Sequence, residues 1–185
     1  MKEQGLDTEF ILETHVHADH LTASQYLKMK LGGGGGGGGG GPKVCIGEHI
    51  SAVQRHFAAY FGLVDFPTDG FASPPTPLLN LNIPRSSYPA WVRGWWTYRL
   101  FSFCFRSQFD RLFKEGDTFD IGTIKCKVMH TPGHTPACLT YVIGGALFCG
   151  DTTFMPDMGS ARCDFPGGSA ETLWNSVSPT SVPVF

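Results

Sequence analysis

Several absences narrow this chain before any motif is read. No run of about 18 consecutive apolar residues occurs, so nothing has the length of a membrane-spanning helix. Basic residues are not in excess: the formal net charge is -2, which gives no footprint for nucleic acid. The first residues, Met1-Lys2-Glu3-Gln4-Gly5, hold neither the apolar core of a secretion signal nor an Arg-rich amphipathic pattern, so no compartment can be read from them. None of the six cysteines, Cys45, Cys104, Cys126, Cys138, Cys149 and Cys163, forms a C-x-x-C pair, and several lie in apolar strand-like runs. There a thiol behaves as a small hydrophobe, which points to a reducing, intracellular setting without a disulfide framework. Cys163 stands apart, beside Arg162 in a loop. Charge of one sign is missing locally: 71–106 contains no Lys, Asp or Glu, only Arg85, Arg93, Arg99 and Arg106.

What is present concentrates in one stretch. Thr14-His15-Val16-His17-Ala18-Asp19-His20 places three histidines and an aspartate within six residues, just after the apolar Phe10-Ile11-Leu12. Imidazole and carboxylate are metal ligands, and this density of them marks a metal-site loop. Glu9 to Glu13 reads as a strand before it and Leu21 to Leu31 as a helix after it, with Leu21, Gln25, Lys28 and Leu31 on one face. Strand, loop and helix in succession commonly present functional side chains at the carboxyl end of a sheet.

Two segments interrupt the pattern. The first, 32–41, is ten glycines capped by Pro42. It reads as a flexible loop, and it has no G-K-[ST] or G-x-G-x-x-G context for cradling phosphate. The second, 71–106, carries five prolines and three of the four tryptophans, with no amphipathic helix. It reads as an insertion, and a lid or an aromatic partner surface is its functional alternative.

Around these segments the remaining elements are regular. Lys43-Val44-Cys45-Ile46 is a short strand, and Glu48 to Phe61 a helix with Ile50, Val53, Phe57 and Tyr60/Phe61 on one face and His49 and His56 on its surface. Residues 118–121 and 123–129 alternate around Gly122 as a hairpin. Cys138 to Ile143 and Ala146 to Cys149 form a second hairpin across Gly144-Gly145. Glu171 to Val177 starts a helix, with Ser169 as its N-cap. Between the strands stand a rigid loop, His130-Thr131-Pro132-Gly133-His134-Thr135-Pro136, and a strand exit, Gly150-Asp151-Thr152. His15, His134 and Asp151 each follow a strand, so all three are placed to converge on one sheet edge; His130 is read as orienting its loop.

The order T-H-x-H-x-D-H, T-P-G-H-T, G-D-T resembles the metallo-β-lactamase superfamily. Residues 13–24, 128–137 and 150–168 resemble in particular its persulfide dioxygenase and β-lactamase-like hydrolase branch, which is related to glyoxalase II. The resemblance implies an α+β fold, the αββα sandwich, with the metal at one edge. In the dioxygenase case it implies Fe(II) held by His15, His134 and Asp151, Arg162 binding the glutathione carboxylate, and oxidation of glutathione persulfide to sulfite and glutathione. His17, Asp19 and His20 then lie outside the coordination. In the hydrolase case it implies Zn(II) on His15, His17 and His134, a second zinc on Asp19 and His20 with Asp151 bridging, and cleavage of a glutathione thioester.

Measured against the family, 1–185 reads as a single partial domain interrupted at 32–41 and 71–106. Strands before the ligand loop and a C-terminal strand with a further histidine are expected but not seen, and without that histidine a mononuclear site is favoured. The segment 71–106 falls where relatives would join Asp69-Gly70 to Ser107-Gln108, as a retained intron or gene-model error would. The partner expected is a small thiol-derived molecule, with neither nucleic acid nor membrane; homo-oligomerisation stays open. The location expected is cytoplasmic, or mitochondrial in a eukaryote. A non-catalytic fragment is the remaining alternative.

Overall fold

A computed structural model of the chain describes residues 5–16, 22–32, 41–61 and 109–178, the side chain of residue 61 excepted. Among them are seven strands in two sheets. β1 (Phe10–Leu12), β2 (Lys43–Gly47) and β3 (Arg111–Phe113) form a parallel sheet in the order β1-β2-β3. β4 (Thr118–Ile121), β5 (Ile124–His130), β6 (Leu139–Ile143) and β7 (Ala146–Phe148) form an antiparallel meander. Three α-helices accompany them: α1 (Ser24–Gly32), α2 (Ile50–Phe61) and α3 (Ala170–Val177).

β2 shows how sequence dictates the layering. Val44, Cys45 and Ile46 are all fully buried, as the middle strand of a parallel sheet requires when both its faces are covered. The period-two alternation divides them. Val44 and Ile46 join Ile50 and Val53 of α2, with Phe109 and Val16, in a helix-on-sheet cluster. Cys45 faces the opposite way, into a cluster with Phe113, Phe119, Val128, Leu139 and Tyr141 that fills the space between the sheets. Phe113 packs against Phe119 with ring centroids 4.9 Å apart, and Phe10 meets the same ring edge-on at 5.4 Å. The result is helix on sheet on sheet, the layered α+β arrangement expected from the resemblance.

Local details refine the sequence reading. The inward stripe of α2 is Ile50, Val53, Gln54, Phe57 and Ala58; Tyr60 falls off this stripe and is 65% exposed. His49 lies in the turn before α2 rather than on it. The helix expected at 21–31 is seen as α1, whose only buried residue is Ser24. It docks through charge, Lys28 Nζ reaching both Asp110 carboxylate oxygens at 2.6 Å, while Leu27, Met29 and Leu31 stay exposed. The N-cap of α3 is as read: Ser169 Oγ accepts from Thr172 N at 3.2 Å. The glycine run and the segment 71–106 lie outside the described residues.

Candidate metal centre

Each candidate ligand is fixed by the strand before it. The segment leading to His15 is pinned on two sides: Glu13 N donates to the Cys45 carbonyl at 2.9 Å, and Leu139 N donates to the Thr14 carbonyl at 2.9 Å. The buried Tyr141 hydroxyl also donates to the Glu13 carbonyl, at 2.8 Å. Burial pushes this phenol well above its ordinary pKa, so it remains a donor. These bonds join the first ligand segment to β2 of one sheet and β6 of the other.

His134 sits at the apex of the loop between β5 and β6. Gly133 adopts φ +142°, where an added Cβ would overlap the backbone of Leu173, so only glycine permits this contact with α3. Ser169 N donates to the Gly133 carbonyl at 2.8 Å and Ser176 Oγ to the Pro132 carbonyl at 2.7 Å, which ties the loop to α3. Asp151 lies in a 3-10 turn, Gly150–Thr152, just after β7. Gly150, at φ +53°, packs so closely on the Thr14 side chain that a Cβ would overlap it.

The three side chains converge. Asp151 Oδ2 lies 3.7 Å from His15 Nε2 and 3.4 Å from His134 Nε2. The two imidazoles stand nearly perpendicular, with centroids 5.1 Å apart. One donor atom from each of the three residues can be chosen so that all lie within 4.8 Å of one another. The histidine side chains are 8% and 2% exposed and the aspartate 38%, so the cluster opens on its carboxylate side.

The donor chemistry fits a metal ion. His134 Nδ1 lies 2.6 Å from the Arg162 carbonyl, which can only accept. Nδ1 therefore carries the proton, and the Nε2 lone pair is left toward the cluster, the orientation a metal-binding histidine takes. His15 Nδ1 lies 3.1 Å from Thr14 Oγ1, which accepts equally well when Nε2 is the ligand atom. Ligands about 2.1 Å from a common ion stand roughly 3.0–3.4 Å apart. The His134–Asp151 distance is in that range and the His15–Asp151 distance slightly beyond it.

Beneath the ligands runs a chain of hydroxyls that residue counting at the motifs does not reveal. Thr131 Oγ1 is 3.0 Å from Thr140 Oγ1 and 3.0 Å from Thr152 Oγ1, and all three residues are buried. It joins the base of the His134 loop to the residue after Asp151. The hint was the threonine in each motif, T-P-G-H and G-D-T.

The other candidate residues are placed as follows. Arg162 contributes its backbone carbonyl to the centre, and its guanidinium is 60% exposed, with Nε 3.6 Å from Asp164. His17, Asp19 and His20 lie outside the described residues. The five described cysteines, Cys45, Cys126, Cys138, Cys149 and Cys163, are free. Burial pushes the Cys45 thiol up to about 11 and raises Cys138 as well, which makes both inert. No helix among the described residues is long and apolar enough to cross a membrane.

Comparison with known proteins agrees with the motif order. The family model described as "Metallo-beta-lactamase superfamily" matches residues 2–179. "Glyoxylase B2" of Dictyostelium discoideum is 40% identical over 192 residues, covering 100% of this chain and 51% of that protein. The "Beta-lactamase hydrolase-like protein" of Xylella fastidiosa is 40% identical over 177 residues, 96% of this chain and 31% of the relative. The mitochondrial "Persulfide dioxygenase ETHE1" of Bos taurus is 37% identical over 73 residues, 38% of this chain and 28% of the relative. Among solved structures, ETHE1 from Myxococcus xanthus superposes with a TM-score of 0.54 at 22% identity, covering 95% of this chain and 48% of the other. The BLEG-1 B3 metallo-beta-lactamase gives 0.55 at 23% identity, covering 95% and 64%. The chain thus spans about half the length, or less, of these curated relatives. With the fold, the motif order and these matches in agreement, the chain belongs to the metallo-β-lactamase superfamily of metal-dependent hydrolases and oxygenases.

Proposed function

We propose that His15, His134 and Asp151 hold one metal ion, and that the site acts on a small thiol-derived substrate as an iron-dependent persulfide dioxygenase. The observation that carries this reading is the convergence of two imidazoles and one carboxylate, the ligand composition of a facial triad with positions left for oxygen and substrate. Resemblance of 13–24, 128–137 and 150–168 to the dioxygenase branch supports it. Bound there, Fe(II) would supply the one-electron chemistry that lets oxygen react with a sulfur compound. Overall, one persulfide, one O2 and one water would give sulfite, the free thiol and two protons.

The protein's own groups divide the remaining work. The Arg162 carbonyl holds the His134 ring by its Nδ1–H and thereby aims Nε2. Thr131 and Thr152 keep the two ligand loops at a fixed separation. The half-exposed Asp151 side marks the face from which a polar substrate would enter. The Arg162 guanidinium, exposed beside Asp164, is the group proposed to receive a glutathione carboxylate, for which its planar fork is suited.

A second reading has a specific observation in its favour. The relatives matched along nearly the whole chain carry the names glyoxylase and hydrolase. In that case zinc would occupy the site and the substrate would be a glutathione thioester, with His17, Asp19 and His20 as added ligands. Metal analysis of protein purified without added metal separates the two: about one iron per chain supports the dioxygenase, zinc the hydrolase. Oxygen uptake with glutathione persulfide is the direct assay, and uptake unchanged in His134→Ala would exclude this site. A chain that holds neither metal would favour a non-catalytic fragment. For location, a reducing cytoplasm, or the mitochondrion in a eukaryote, is the proposal consistent with free, buried thiols.

A further inference from the structure

The loop that carries His134 is closed by a side chain that lies outside the ligand set. The β5–β6 ladder ends at the pair His130 and Leu139. Beyond it the two chains separate to form the ligand loop, and few backbone bonds can cross, because Pro132 and Pro136 have no N–H. Thr131 N donates to the Cys138 carbonyl at 3.0 Å. At the apex Gly133 N donates to the Thr135 carbonyl at 3.1 Å. Between these two, the tie is a side chain: His130 Nε2 lies 3.0 Å from the carbonyl of Pro136. A carbonyl only accepts, so Nε2 carries the proton and donates it. This bond joins the last residue of β5 to Pro136, six positions on, with His134 between them.

Two contacts prepare His130 for this bond. Its backbone N–H is taken by the Glu115 carboxylate, which anchors the residue. One face of its ring stacks on His49, with centroids 4.3 Å apart and planes 24° from parallel. Together they set the direction of its N–H.

We infer that His130 is a positioning residue for the metal centre: its Nε2–H, donated to the Pro136 carbonyl, closes the neck of the His134 loop and so sets the metal affinity of the site. This rests on the reading of His15, His134 and Asp151 as a metal site, and the test separates the two. Co(II) and Zn(II) are titrated into the metal-free protein against a chromophoric chelator, and the thermal midpoint of the metal-free form is recorded. His130→Phe keeps a ring against His49 but removes the donor; His130→Gln replaces the donor at similar reach. The expected result is about tenfold weaker metal binding in His130→Phe, at the lower end of the range for groups that orient ligands. Affinity should return to within about twofold in His130→Gln, and the metal-free midpoint should stay where it is.

Equal affinities for wild type and His130→Phe overturn the proposal. So does a His130→Gln protein as weak as His130→Phe, since the ring rather than its donor would then matter. If His130→Phe does not fold, His130→Asn takes its place, because its shorter amide falls short of the carbonyl. Wild-type protein that binds neither ion overturns the site reading itself, whatever the variants do.

Discussion

Thr131→Val is the sharpest test of how the ligand loops are held together. Thr131 Oγ1 is the middle of three buried hydroxyls, 3.0 Å from Thr140 and 3.0 Å from Thr152, and the three residues are only 3%, 4% and 3% exposed. Valine has nearly the same shape, so the change deletes polarity rather than volume. Two hydrogen bonds of about 1 kcal/mol each disappear and the buried Thr140 hydroxyl loses its Thr131 partner, while Thr152 Oγ1 keeps the Thr131 carbonyl at 3.4 Å, for a total cost of about 3 kcal/mol. Thr140→Val stands at the end of the chain and removes one bond while leaving Thr131 paired to Thr152; its cost is about 1 kcal/mol. Urea unfolding reads both: with a slope of about 2 kcal/mol/M, the midpoints fall by about 1.5 M and about 0.5 M. The triple change to valine removes every member at once and should destabilise by less than the sum of the singles, because no buried hydroxyl is stranded. Midpoints for Thr131→Val and Thr140→Val that coincide would refute the central placement of Thr131. A triple variant as unstable as the sum would refute the pairing itself.

Two further outcomes follow from the same geometry. Gly150→Ala forces a non-glycine residue to φ +53° and drives a methyl into Thr14, whose carbonyl anchors the His15 segment to β6. The left-handed backbone alone costs about 1–2 kcal/mol, and metal affinity measured by chelator competition should fall further than stability does, because both ligand segments are displaced. His49 is held below its ordinary pKa of 6.5, chiefly by desolvation and then by its His130 neighbour, with Glu48 opposing. Its neutral form is therefore the one the fold prefers, and the unfolded chain takes the proton more readily. The stability it contributes is present above about pH 6.5 and is lost as pH falls through the lower folded value. The ring is largely exposed, so the slope is shallow; unfolding midpoints between about pH 7.5 and 5 should decline less in His49→Phe than in wild type, and identical profiles would remove His49 as a contributor.

Much of this architecture was legible because the residues that define it are local. Lys43-Val44-Cys45-Ile46 reads as a strand, 118–129 as a hairpin and Ser169 as a helix cap, each from neighbours in sequence. That His15, His134 and Asp151 come together was legible for a different reason: every one of them follows a strand, and strand exits on paired sheets fall at a common edge. The helix expected at 21–31 is found at Ser24–Gly32, with Thr22 and Ala23 preceding it, and its docking was not legible. Its key contact, Lys28 to Asp110, spans 82 positions, and periodicity carries no information about a partner that distant. The same limit hid the role of Arg162. Its side chain draws attention as a cation, yet its geometric contribution to the centre is a carbonyl, which every residue possesses and no composition signals.

The described start of the loop, Thr14 to Val16, shows what does position a candidate ligand: the backbone that delivers it. His15 is delivered by two sheets at once, through the Cys45 carbonyl on one side and the Leu139 and Tyr141 donors on the other. Asp151 reaches it because Gly150 lets its turn lie against Thr14, and His134 because Gly133 lets its loop lie against α3. The centre is therefore a property of two inter-sheet junctions and two close glycine contacts. Loosening the contact at Gly150 or the hydroxyl chain through Thr131 should degrade metal binding without touching a ligand, whereas polar substitutions on the outer faces of β4 and β5 should leave it unchanged.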